Sequence, residues 1–303
     1  MEITSPLTNA LEAPDTMHSS TRRTVMSAAV GKESAIDVKE LFSIQGKVAL
    51  VTGGSRGIGL MIARGYVEGG ARVYISSRKK DVCDQVASEL AKFGECISVP
   101  ADLSTGAGCK QLAEEISRRE KALHILVNNA GAVWGARIDD YPEEGFDKVM
   151  DLNVKSAFLL TRDLLPLLEK ASKPGDPARV INIGSIDGLA VPPLDTFAYP
   201  ASKAALHHLT RVLAVKLGPR GITVNAIAPG PFESKMTEWM LSNFRDRIEA
   251  SCPLHRIGQP ADMAGAAIYL ASRAGALVNG AVIPVDGGLH LSAYAPMEGV
   301  GGI

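Results

Sequence analysis

The segment from Lys47 to Gly59, K-V-A-L-V-T-G-G-S-R-G-I-G, restricts the folds open to this chain more than any other stretch. An apolar run from Val48 to Val51 ends in Thr52, glycines follow at 53, 57 and 59, and a helical pattern then runs from Leu60 towards Val67. A strand buried on both faces reads as an unbroken apolar run, so Val48 to Val51 suits the centre of a parallel sheet. Glycine lacks a Cβ, which lets a turn take dihedrals closed to other residues and lets a phosphate approach the backbone. The N-terminus of the helix behind the turn offers unpaired N–H groups and partial positive charge. Gly53, Ser55, Arg56, Gly57, Ile58 and Gly59 are therefore a candidate cradle for a pyrophosphate.

The spacing is T-G-x-x-x-G-x-G rather than G-x-G-x-x-G, because position 62 is Ile62. With its flanking strand and helix, the motif resembles that of the short-chain dehydrogenase/reductase family, and the resemblance extends over roughly Phe42 to Leu291. It implies an α/β fold: a single doubly wound Rossmann domain, with a seven-stranded parallel sheet and helices on both faces. The expected organisation is a flexible extension over 1–40, the dehydrogenase/reductase domain over 41–291 with a lid near 233–250, and a tail over 292–303.

Strand signals recur at Arg72 to Ser76, Ile97 to Pro100, Leu123 to Val127, Arg179 to Ile183, Gly221 to Ile227 and Ala281 to Val285. Ala228, Pro229 and Gly230 are expected to break the sixth of the chain's strands. Helices are expected from Glu143 to about Ala171, from Tyr199 to about Leu217, from Glu233 to about Ala250, and through Ala271. The second strand runs into Ser77, Arg78, Lys79 and Lys80, with no acid before Asp81. An acid at this corner would bind the ribose 2′-hydroxyl of NAD, whereas a cation accommodates the 2′-phosphate of NADP. Arg56 and Arg78 offer paired N–H donors there and point to NADPH/NADP.

Asn128-Asn129-Ala130-Gly131 closes the fourth strand, where open α/β sheets bind ligands. Tyr199-Pro-Ala-Ser-Lys203 follows the strand-end Ser185 by 14 residues, and its i,i+4 spacing puts phenol and ammonium on one helical face. The resemblance implies Asn153, Ser185, Tyr199 and Lys203 as the catalytic set, with Asn153 holding a relay water. It also implies a cofactor cleft lined by Asp102, Leu103, Asn129, Ala130, Gly131, Pro229, Gly230 and Ser234, together with Tyr199 and Lys203. Asp102 is equally suited to cap the helix beginning near Thr105. A tyrosine, with an ordinary pKa of about 10, exchanges protons poorly at neutral pH. The Lys203 cation is expected to lower it.

The reaction so implied is NADPH-dependent, reversible reduction of a ketone to a secondary alcohol. G-S-R-G-I-G, A-R-V-I-N-I-G-S, K-A-A-L-H and A-P-G-P-F are most similar to 3-oxoacyl reductases of the rhamnolipid-pathway type and to gluconate 5-dehydrogenase-like members. Met236, Trp239, Met240, Leu241 and Phe244 favour a hydrophobic carbonyl over a polyol or ketogluconate, although Trp239, Met240 and Trp134 suit core packing equally well. The rival class is a non-catalytic NADP-binding scaffold or sensor. The family commonly forms homotetramers through the helices bearing Asn153 and Tyr199, and His207 and His208 fit packing across such an interface.

A net charge of −1 gives no electrostatic footprint for nucleic acid, and no apolar run approaches the ~18 residues of a membrane span. Four cysteines without a C-x-x-C pair, and no histidine at ligand spacing, imply no metal site and a reducing, cytoplasmic setting. Met17 to Lys32 is basic and free of acids like an organelle transit peptide, which Glu2, Glu12 and Asp15 oppose.

Overall fold

Val48, Ala49, Leu50 and Val51 are shielded on both sides, as their unbroken apolar run requires. The computed structural model describes residues 36–292, so the expected extension over 1–40 and tail over 292–303 lie almost wholly outside the described residues. Elements follow as α1 (Val38–Leu41), β1 (Val48–Thr52), α2 (Gly57–Glu68), β2 (Arg72–Ser76), α3 (Lys80–Leu90), β3 (Cys96–Ser98), α4 (Gly106–Arg119) and β4 (Ile125–Asn128). After these come α5 (Glu143–Met150), α6 (Ser156–Ala171), β5 (Ala178–Ile183), α7 (Ala198–Leu217), β6 (Ile222–Pro229), α8 (Glu238–Ser251), α9 (Pro260–Ala271) and β7 (Val282–Val285). The sheet is parallel throughout and has seven strands in the order β3-β2-β1-β4-β5-β6-β7.

Period-two alternation along the strands divides the core into two layers. Ala49 and Val51 pack with Ile62, Tyr66 and Met263 from α2 and α9, while Leu50 packs with Leu112, Ile116, Leu160 and Leu164 from α4 and α6. Burying each such aliphatic side chain is worth about 1.5–3 kcal/mol. Successive strands move outward from β1 to β3 and then jump back to β4 on the other side of β1. That reversal opens a crevice at the C-terminal ends of β1 and β4, where this architecture binds ligands.

The expected helix from Glu143 to Ala171 is interrupted. Asp151–Lys155 forms a π-helical turn, in which the Ser156 amide bonds back to the Asp151 carbonyl. β6 extends through Pro229 instead of breaking at Ala228, since Pro229 pairs with Val285 beyond the point where β5 has ended. Its missing N–H therefore leaves no ladder position empty. The lid helix starts at Glu238, not Glu233, because Thr237 folds back on the preceding residues: its Oγ1 donates to the Phe232 carbonyl at 2.5 Å and accepts from the Ser234 amide at 3.1 Å. Phe244, at φ −136°, breaks it again midway.

Candidate active site

The crevice floor is the glycine turn. Gly53 and Gly57 have φ of +64° and +52°, a region that L side chains rarely adopt. A Cβ at Gly53 would lie 2.7 Å from Asn129 Nδ2. α2 begins at Gly57, one turn earlier than the apolar pattern indicates, and no side chain caps it, since Arg56 at its N-cap is fully extended. The first-turn amides thus face the crevice as an anion site, and the glycines leave a phosphate room to reach them. Ser55 is buried beneath the turn and Ile58 half-buried beside it. Arg56 and Arg78 are exposed, and neither pairs with a carboxylate among the described residues. The chemistry of this donor set fits a dinucleotide with an extra phosphate on its ribose.

Asn129 locks β4 to the turn. Its Nδ2 donates to the Thr52 and Gly53 carbonyls at 2.8 and 3.3 Å, and Thr52 Oγ1 accepts from the Asn129 and Ala130 amides at 2.9 and 3.0 Å. Gly131 lies against Asn153, whose Oδ1 would be 3.2 Å from a Cβ there. Asp102 accepts from the Ser104 amide and hydroxyl at 3.1 and 2.8 Å, closing its own turn, and Thr105 rather than Asp102 caps α4. Leu103 is buried in the core layer under α4.

The extra residue of the π turn swings Asn153 inward. Oδ1 accepts from the Ala132 amide at 2.8 Å, and Nδ2 donates to the Ala132 carbonyl at 3.0 Å and to Ser202 Oγ at 2.9 Å. Ser202 Oγ in turn donates to the Tyr199 carbonyl at 2.7 Å. Asn153 thus joins the loop after β4 to the first turn of α7. A buried ladder below anchors that helix: Asn128 Nδ2 donates to Asn182 Oδ1 at 2.9 Å and Thr161 Oγ1 at 3.1 Å, and Asn182 Nδ2 to Thr210 Oγ1 at 2.9 Å.

Ser185, at the end of β5, stands near enough to the Tyr199 phenol to favour its ionised form. Lys203 Nζ sits 5.4 Å from the centroid of the Tyr199 ring and donates to the Ile183 carbonyl at 2.8 Å. The expected lowering of the Tyr199 pKa is not found. Burial pushes the phenol well above its ordinary value and the Asp187 carboxylate adds to the rise, which outweighs the opposing effect of the Ser185 hydroxyl. Tyr199 is therefore held as a protonated donor. Burial brings Lys203 down to about 8, and raises Asp187, which the sequence reading did not single out, to about 6. His207 is enclosed by its own chain against Gly184 and Gly188, with both ring nitrogens unpaired and its pKa lowered by burial to about 4. It is not available to a subunit interface, whereas His208 is exposed.

Across the crevice, Pro229 and Gly230 approach Asp286, which a Cβ at Gly230 would meet at 2.6 Å. Ser234 faces Gly57 and shares a hydrogen bond with Thr237 Oγ1 at 3.0 Å. In the lid, Leu241 is buried with Ile186, Ile248, Cys252 and Ile257, Met240 and Phe244 pack on them, and Trp239 stays half-exposed with its edge on Phe244. Trp134 packs over Gly145 beneath the Lys148 ammonium, 5.1 Å from its ring centroid. Among the described residues, no cluster of His, Cys, Asp and Glu could hold a metal ion, and no helix is long and apolar enough to cross a membrane.

Residues 53–290 match the family described as Enoyl-(Acyl carrier protein) reductase. The chain is 50% identical over 253 residues to a rhamnolipids biosynthesis 3-oxoacyl-[acyl-carrier-protein] reductase of Pseudomonas aeruginosa, an alignment spanning 82% of this chain and 98% of that protein. It is 35% identical over 272 residues to the short-chain dehydrogenase/reductase PhomF of Diaporthe leptostromiformis, covering 82% and 93% of the two chains. Among solved structures, the Pseudomonas aeruginosa RhlG/NADP active-site complex superposes with a TM-score of 0.81 at 49% identity, over 83% of this chain and 99% of that one.

Proposed function

The chain belongs to the short-chain dehydrogenase/reductase family, and from that premise we propose that it is an NADPH-dependent reductase of 3-oxoacyl thioesters or similar hydrophobic ketones. What supports this reading is the nearness of Ser185, Tyr199 and Lys203 to one another at the end of β5, together with an uncapped helix N-terminus after β1 and two arginines, Arg56 and Arg78, with no carboxylate partner among the described residues. The same pyrophosphate cradle would hold the cofactor, with Arg56 and Arg78 on its 2′-phosphate.

When bound, NADPH supplies a hydride to the carbonyl carbon, so negative charge grows on the substrate oxygen. Ser185 holds that oxygen with its hydroxyl proton, since its Oγ already accepts from the Asp187 amide at 3.1 Å. The Tyr199 phenol delivers the proton, and the Lys203 cation beneath the ring stabilises the phenolate that remains. Lys203 also has N–H groups to offer the nicotinamide ribose beyond the one given to Ile183. Asn153 fixes the proton path by tying α7 to the loop after β4. In the reverse direction Tyr199 accepts the alcohol proton.

The expected assembly is a homotetramer through the α5–α6 and α7 faces, which leave Phe146, Phe158, Val212 and Val215 exposed. Four free thiols, two of them deep in the core layers, suit a cytoplasmic setting. The deciding experiment follows NADPH oxidation with a panel of 3-oxoacyl thioesters, cyclic ketones and ketogluconate. Tyr199→Phe is expected to lower turnover at least a hundredfold and leave NADPH binding, followed by fluorescence, within about threefold. Full turnover by that variant, or no turnover of any ketone by the native enzyme, overturns the assignment and favours a cofactor-binding scaffold.

A further inference from the structure

We propose that Asp187 acts as a charge filter on the substrate, admitting ketones that are neutral around the reacting carbon and turning away those that carry a carboxylate there. The inference rests on the ketone-reductase reading and sharpens it: a 3-oxoacyl chain is accepted while its acid is masked as a thioester or ester, and refused as the free 3-oxo acid.

The placement is fixed by the backbone. Asp187 is the middle residue of a single 3-10 turn, Ile186–Gly188, directly after Ser185, and its amide donates to Ser185 Oγ at 3.1 Å. The turn is pressed onto α7: a Cβ at Gly188 would lie 2.8 Å from the Ala204 nitrogen, the Lys203 carbonyl carbon and His207 Cε1. The backbone that carries Asp187 is therefore held beside α7. Its carboxylate forms no ion pair or hydrogen bond among the described residues, and Lys203 is the one charged group that acts on it. Lys203 does not mask it from a ligand, because the ammonium is buried under the Tyr199 ring and given to the Ile183 carbonyl, whereas Asp187 is partly open to the crevice.

Among the described residues, the one cation presented to this turn is the buried Lys203. α7 presents Tyr199, Lys203 and His207 to the turn, and β6 has no titratable residue. The lid packs on Ile186 through Leu241, Ile248, Cys252 and Ile257; the thiol of Cys252 is directed to the Asp286 and Gly287 carbonyls. Arg245 is paired with Glu233 and Glu249, and Arg256 with Asp262. Like charges at close range in a partly dry crevice repel strongly, and discrimination then comes from what the site refuses. The filter should open in acid: Asp187 gains a proton as pH falls through about 6, where Lys203 is still a cation and His207 still neutral.

The test compares kcat/KM for ethyl acetoacetate and acetoacetate with NADPH in the full-length enzyme, Asp187→Asn and Asp187→Ser, at pH 7.5 and 5.5. The ester-to-acid ratio is expected to be at least about a hundredfold in the native enzyme at pH 7.5 and to shrink about tenfold at pH 5.5. In both variants it should shrink about tenfold at either pH, through a lower KM for the acid. A purely structural role would reduce both substrates alike and leave the ratio, which is the overturning result. If neither ketone is turned over, the reductase assignment fails. Calorimetric affinities of the same ester and acid for the NADP-loaded protein then decide the filter, and equal native affinities reject it.

Discussion

Arg56 and Arg78 are two exposed guanidiniums with which no carboxylate pairs among the described residues, and their proposed role in cofactor preference is open to a direct test. Replacing both with alanine is expected to lower kcat/KM for NADPH about ten- to a hundredfold and to leave that for NADH nearly unchanged, read from initial rates with each cofactor. Comparable native rates with NADPH and NADH would argue against the pair. Lys203 sets a second expectation. Burial holds its pKa near 8, so its charge is complete below that value and lost as pH rises through it. Ketone reduction should accordingly show a falling limb in log kcat/KM near pH 8, visible in a pH–rate profile under saturating NADPH. Tyr199 and Lys203 were legible because their spacing on a helix is a local property. Asp187 was not, since an aspartate after a strand-end serine looks like any turn residue until the burial around it is known.

The elements hold these groups through buried polar bonds. Asn182 joins β5 to Asn128 of β4 and to Thr210 of α7, and Asn128 continues the ladder to Thr161 of α6. Asn182→Ala should cost about 1–3 kcal/mol, measured by urea unfolding, because one buried N–H of the Asn128 amide loses its acceptor. It should also slow turnover, because α7 carries Tyr199 and Lys203. The π turn at Asp151–Lys155 has the same logic. Periodicity alone continues the helix from Glu143 to Ala171, since one additional residue per turn hardly disturbs an apolar pattern. What requires the bulge is the loop partner at Ala132, which lies 21 residues away along the chain. The start of the lid at Glu238 was equally hidden, as it depends on which carbonyls Thr237 reaches.

For the whole molecule, the exposed apolar side chains on α6 and α7 argue for association. Phe158→Asp combined with Val215→Asp is expected to convert a tetramer to smaller species in sedimentation-velocity runs without unfolding the protomer, because both residues face outward. A native monomer at micromolar concentration would dispose of the tetramer. The sequence by itself determined the seven strands and the glycine turn at the first of them, while the doubly wound order and the candidate catalytic residues came from the family resemblance of its motifs. These follow from strand and helix periodicity, from the glycines of one tight turn, and from motif spacing, all short-range properties of the covalent chain. The tertiary structure alone decided that Tyr199 is held as a phenol, that His207 is enclosed by its own chain, and that Asp187 is half-buried near Lys203. Charge state and accessibility depend on groups brought together from β5, α7 and the lid, and no local pattern of residues encodes how much water is left between them.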